Sequence, residues 1–257
     1  MAREFQVRRE QDLPATPEQV WHAVATSAGN LGWLYPMEIE PRVGGAVSRG
    51  DATVVEWQPP RLFAVRATRD GGFSNTLTYR IEPGDAGAAH LRMGIHWVHE
   101  GVVDDGWDTR ADAAEKHVDF YQHSLAQYLT HFADRSAVYV KANRSGPTAD
   151  PGEFAALRRH LGLAEDTAVG SRLSLDLPGA PGAPGGPVDV VVDYLSRDFV
   201  GLRGPDALYR FFDGSSWNWP IWLGHHLFAK DVDEQRAEQA WTDWLCEASS
   251  HAPAAGR

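Results

Sequence analysis

Between residues 114 and 132 the side chains Ala114, Val118, Tyr121, Leu125, Tyr128 and Phe132 recur at intervals of 4, 3, 4, 3 and 4. Such spacing lays one apolar stripe along a helix. Before it the period changes to two. Val55 and Trp57, Phe63 and Val65, Leu77, Tyr79 and Ile81, then Leu91, Met93, Ile95 and Trp97 share one parity. Glu56, Arg66, Thr76, Thr78, Arg80, Glu82, Arg92 and His96 occupy the other. Alternation of this kind predicts strands with one face buried and one face wet. Turns are written between them as Gly44-Gly45, Gly71-Gly72 and Pro83-Gly84. Phe5 and Val7 alternate as a first strand, and Thr16-Pro17-Glu18 signals a helix start, a capping hydroxyl followed by proline at the first helical position. The predicted order is strand, helix, several strands, long helix. An antiparallel sheet wrapped over its C-terminal helix is an α+β fold.

The pattern is then written again. "VEWQPPRLFAVR" from Val55 is echoed by "VDYLSRDFVGLR" from Val192, with Trp57 on Tyr194, Phe63 on Val200 and Arg66 on Arg203. "LTYRIEPG" from Leu77 meets "ALYRFFDG" from Ala207, and "LRMGIHWV" from Leu91 meets "IWLGHHLF" from Ile221. Upstream, Pro17 falls on Pro151; near the ends, "LAQYL" at Leu125 resembles "WTDWL" at Trp241. Ala237, Trp241, Trp244 and Ala248 repeat the helical stripe. Five matches in one order predict two homologous domains, 1–134 and 138–250, joined near 134–137. Residues 178–187, "PGAPGAPGGP", read as a flexible loop inside the second.

"LPATPEQVWHAVA", a Gly-Gly, "VVEWQPPRLFAVR", "TLTYRIEP", "AHLRMGIHWVHEG" and "FYQHSLAQYL", in that order, resemble the SRPBCC (START/polyketide cyclase) superfamily. The nearest branch is the heat-shock-protein ATPase activator homologue group. The second half resembles the same pattern with some residues lost between its strands. The resemblance implies two tandem helix-grip domains, each a curved antiparallel sheet around a long C-terminal helix. It also implies an apolar cavity for a small hydrophobic molecule. Members include lipid carriers, hormone receptors, polyketide aromatases/cyclases and proteins protecting bacteria from their own antibiotics. A natural-product role, in a polyketide pathway of the enediyne type, is the corresponding expectation, in biosynthesis or self-resistance. No invariant catalytic residue of the branch carries over; a co-chaperone role rests on the branch name alone.

Composition narrows the partners. The 257 residues carry 24 Lys and Arg against 35 Asp and Glu, a formal charge of −11. Phosphate backbones and anionic membrane surfaces are repelled by such a chain, so neither nucleic acid nor a membrane is expected as partner. "MAREFQVRRE" has no apolar core of a signal peptide, and the single cysteine, Cys246, cannot form an intramolecular disulfide; both fit a reducing cytoplasm. No nucleophile elbow, phosphate loop, zinc-helix or dinucleotide motif occurs. His96 and His99, and likewise His225 and His226, point to opposite faces of their strands and cannot chelate together. No metal, cofactor or catalytic group is expected. "HEGVVDDGWD", His99–Asp108, reads as an acidic loop.

The candidate ligand contacts are the inward side chains of the first copy: Trp57, Phe63, Tyr79, Met93, Trp97, Tyr121, Leu125 and Tyr128, with His117 beside the helical stripe as a rim acid/base. The inward parity holds no Arg, Lys, Asp or Glu. That favours a carrier or sequestering protein over an aromatase/cyclase, whose proton transfers need an ionisable group in the cavity. In the second copy Val190, Val192, Tyr194, Tyr209, Phe211, Leu223, His225 and Leu227 form the inward parity. Its outer parity is also apolar, with Leu195, Leu208, Phe212, Trp222 and Phe228. An apolar outer face implies a covered one, so Leu208, Phe212, Trp222 and Phe228 are expected at a domain–domain or homodimer interface.

Overall fold

The computed structural model describes residues 2–101, 106–144, 150–178 and 187–250. It divides into two units, 1–136 and 137–257.

The first unit runs β1 (Arg3–Leu13), α1 (Pro17–Ala25), α2 (Ser27–Asn30), β2 (Ala46–Val47), β3 (Ala52–Gln58), β4 (Leu62–Arg69), β5 (Phe73–Pro83), β6 (Ala89–His99) and α3 (Trp107–His131). The second runs β7 (Val138–Asn143), α4 (Pro151–His160), β8 (Arg172–Leu175), β9 (Val188–Leu195), β10 (Phe199–Arg203), β11 (Ala207–Phe212), β12 (Trp222–Leu227) and α5 (Glu234–Ser250). Each unit holds one six-stranded antiparallel sheet. The strand orders are β1-β6-β5-β4-β3-β2 and β7-β12-β11-β10-β9-β8. The same order twice is what a duplicated α+β domain requires. Most of the Pro/Gly-rich stretch, 179–186, lies outside the described residues.

Local chemistry sets the helix starts. Thr16 accepts the Gln19 N–H at 3.3 Å while Gln19 Oε1 accepts the Thr16 N–H at 3.0 Å, closing a capping box ahead of Pro17. In the second unit Asp150 accepts the Gly152 N–H at 2.7 Å ahead of Pro151. Helix α3 is tied to β1 by Arg9, which bonds Glu115 at 3.2 Å and Asp119, by Arg3 with Asp108, and by a 2.8 Å bond from Gln11 to Gln122.

Two β-bulges change the expected parity. In β3 the ladder to β4 pairs Val54 with Val65 and Trp57 with Phe63, the register shifting between Val54 and Glu56. Val54 is therefore buried and Val55, expected inward, is 38% exposed. In β9 the ladder pairs Val192 with Leu202 but Tyr194 with Gly201 and Leu195 with Val200. Leu195 packs on the core, and Tyr194 falls on the opposite side from Val192. Trp57 thus answers to Leu195, not Tyr194. One extra residue in a strand reverses every position beyond it, and alternation counted along the sequence cannot register that.

A register shift also separates the two sheets at β5 and β11. Val65 pairs with Leu77, whereas its counterpart Leu202 pairs with Tyr209; Tyr79 accordingly answers to Phe211. Bulkier residues thus stand on the inner face of unit two. Trp241 of α5 inserts among them, its ring 4.1 Å from His225, 5.7 Å from Tyr209 and 6.2 Å from Phe211. These side chains fill the space between sheet and helix. On the other face, Leu208, Phe212 and Phe228 are buried and Trp222 is half-buried, with Phe212 stacked on Trp222 at 4.4 Å.

Candidate functional site

Unit one leaves a cavity of about 640 Å³ between its sheet and α3. The sheet wall is built from register-paired rows: Tyr79 opposite Met93, Leu77 opposite Ile95, Asn75 opposite Trp97, and Phe73 opposite His99. Val65, Ala67 and Arg69 of β4 extend it. Helix α3 supplies Trp107, Arg110, Ala114, His117, Val118, Tyr121 and Gln122. The segment from Trp33 to Ala52 closes a third side with Tyr35, Met37 and Arg49.

Five of the sequence-nominated residues line this cavity: Tyr79, Met93, Trp97, His117 and Tyr121. The other four stand elsewhere in the unit. Trp57 and Phe63 pack edge-on with Trp21 of α1, at 4.9 Å (Trp21 to Trp57) and 5.6 Å (Trp57 to Phe63). Leu125 is fully buried in the core. The Tyr128 ring fills the space left by Gly32, where a Cβ would lie 2.3 Å from it, and its hydroxyl donates to the Ala133 carbonyl at 3.3 Å.

The expectation that no charged group faces inward is overturned. Arg49, Arg69, Asp70 and Arg110 all line the cavity, together with His99. Arg49 and Asp70 come from turns, where strand parity has no say, Arg110 from the first turn of α3, and Arg69 from the end of β4, on the same parity as Val65 and Ala67. One signal was available. Continuing the α3 stripe backwards from Ala114 by 4 and then 3 positions reaches Arg110 and Trp107.

The polar groups form a connected set. The Arg49 guanidinium lies 3.7 Å from the centre of the Tyr35 ring, whose edge meets Tyr121 at 5.9 Å; Tyr121 in turn neighbours His117 at 6.1 Å. His117 donates its Nδ1–H to the Ala113 carbonyl at 2.7 Å, so the neutral ring carries its lone pair on Nε2. Burial pushes the Tyr121 phenol up to about 12 and the Tyr79 phenol higher still, with Arg49 opposing both. Both hydroxyls therefore remain donors at neutral pH. On the sheet, Asn75 Oδ1 and Trp97 Nε1 are buried with no hydrogen-bond partner among the described residues.

His96 turns away from the cavity toward Glu4 at 3.2 Å, so the opposed orientation of His96 and His99 is as expected. Among the described residues no group of three His, Cys, Asp or Glu side chains could hold a metal ion, and no helix is long and apolar enough to cross a membrane.

No protein-family model matches the sequence, and no curated protein does. Solved structures similar to the chain include the di-domain ARO/CYC BexL from the BE-7585A biosynthetic pathway. It is 11% identical, covers 98% of this chain and 99% of its own, and has a TM-score of 0.43. DynU16, from the dynemicin biosynthetic locus, is 16% identical over 96% of this chain and 99% of its own, TM-score 0.39. Protein MLL2253 from Mesorhizobium loti is 22% identical over 49% of this chain and 98% of its own, TM-score 0.40.

Proposed function

We propose that unit one binds a small, planar hydrophobic molecule of polyketide type in the cavity between its sheet and α3, for carriage or sequestration. The observation that carries this reading is the cavity itself: about 640 Å³, walled by Tyr35, Phe73, Tyr79, Trp97, Trp107 and Tyr121. Ligand sites of small molecules fall in the range of roughly 300–1,000 Å³ and are lined by aromatic side chains with few polar groups. Sequence resemblance to a superfamily of hydrophobic-ligand proteins supports the same class. Unit two, its inner face filled around Trp241, serves in this reading as a folded companion without a ligand of its own.

The test is a panel of polycyclic aromatics titrated into the full chain and followed by amide shifts. Shifts should concentrate on β5, β6 and α3, and Trp97→Ala should weaken binding about tenfold or more. Shifts confined to unit two, or none with any compound, would sink the proposal.

An aromatase/cyclase-type enzyme is the second reading, and one observation favours it: ionisable groups do line the cavity. His117, with Nε2 as the lone-pair atom, would take the proton, and Tyr121 would donate to a carbonyl oxygen. Turnover of a poly-β-ketone analogue that is lost in His117→Gln would separate it from carriage.

A further inference from the structure

Building on the cavity reading above, we propose that the ligand carries an acidic oxygen, a carboxylate or an enolate of comparable acidity, and that Arg49 receives it. The charge distribution motivates this. In a chain of net charge −11, three arginines from three separate elements line one cavity: Arg49 between β2 and β3, Arg69 at the end of β4, and Arg110 in the first turn of α3. All three are exposed, which sets them on the solvent side of an otherwise aromatic chamber. Among the described residues one carboxylate, Asp70, shares their wall. The arrangement suits an amphipathic guest, its rings among Trp97, Leu77 and Tyr121 and its charged end toward the guanidinium groups.

Arg49 is singled out by its neighbours. It lies over the Tyr35 ring at 3.7 Å, and a guanidinium held against an aromatic face directs its N–H donors sideways, in the plane that a carboxylate pairs with. It also acts electrostatically on the two buried phenols, Tyr79 and Tyr121. The chain turns sharply just after it, at Gly50 (φ 65°) and Asp51 (φ 53°), so the position of Arg49 is set by a tight turn. Arg49, Tyr79 and Tyr121 thus bring three donor side chains, one guanidinium and two phenols, to one region of the wall.

The experiment uses the full chain and two probes of one shape, anthracene-9-carboxylate and the neutral anthracene-9-carboxamide, titrated calorimetrically at pH 7 in low salt. The carboxylate should bind at least about tenfold tighter. That ratio should shrink as salt is raised, because the three arginines are solvent-facing and screened. It should fall to near unity in Arg49→Met, with Arg49→Lys intermediate, each variant first checked for an unchanged melting temperature. Equal binding of the two probes by the wild-type chain would overturn the proposal while leaving the cavity reading intact. So would a carboxylate preference that survives in Arg49→Met. Binding of neither probe would overturn the cavity reading and this proposal with it.

Discussion

Removing the carboxylate of Asp193 is the most demanding test of how unit two is held together. Asp193 occupies the bulge of β9 and faces Arg210 of β11 in a two-pronged ion pair, Nη1 to Oδ1 at 3.1 Å and Nη2 to Oδ2 at 3.0 Å. The side chains are 3% and 1% exposed. Arg210 also donates to the carbonyls of Leu202 at 3.3 Å and Tyr209 at 3.1 Å. Gly201 makes the geometry feasible, since a Cβ there would stand 2.3 Å from Asp193 Oδ1. Burial works against the Arg210 charge and Asp193 sustains it. At an effective dielectric of about 20, charges about 4 Å apart attract by about 4 kcal/mol, and breaking a buried pair from one side costs about 3–5 kcal/mol. Asp193→Ala should therefore lower the stability of unit two by about that amount. Asp193→Leu combined with Arg210→Met, which removes both charges, should recover at least about half of the loss. Native-state hydrogen exchange of the β9–β12 amides reads unit two separately from unit one. A single variant within about 1 kcal/mol of the parent, or a double variant no better than the single, would refute the argument.

Two further outcomes follow from buried polar atoms. His225 is fully buried, its Nδ1 accepting the Arg210 backbone N–H at 3.0 Å, and burial first, then His226 and Arg210, hold its pKa well below the usual imidazole value. The unfolded chain takes up a proton below about pH 6.5 that the folded chain refuses, so the contribution is complete above that pH and lost below it, at about 1.4 kcal/mol per pH unit. His225→Leu should flatten the fall in urea midpoint between pH 7 and pH 5; parallel curves would contradict this. Asn75→Leu replaces an unmatched buried acceptor on the cavity wall by an apolar group of similar size, and should raise the melting temperature of unit one by about 3–6 °C. A lower melting temperature would show that Asn75 is satisfied in the empty protein.

Periodicity in the sequence carried the architecture. The spacing of Ala114 to Phe132 specified α3, alternation from Val55 to Trp97 specified the strands, and their recurrence after residue 137 specified a second sheet of identical order. It also carried the apolar half of the candidate site, because Tyr79, Met93, Trp97 and Tyr121 face inward by strand or helix geometry alone. Three things were decided only in three dimensions. Bulges at β3 and β9 exchanged Val54 for Val55 and Leu195 for Tyr194, since a bulge is a property of two paired strands and leaves no mark on one. The line between core and cavity separated Trp57, Phe63, Leu125 and Tyr128 from the wall residues, because packing against α1 and Gly32 depends on the distance between elements, to which residue type is blind. Arg49 and Asp70 were brought to the cavity by turns, where neither period applies, whereas Arg69 and Arg110 continue the periods of β4 and α3 beyond their apolar residues. Sequence patterning thus determined which faces are apolar; tertiary structure determined where the apolar space stays open and which charges look into it, because both depend on how loops close over a sheet.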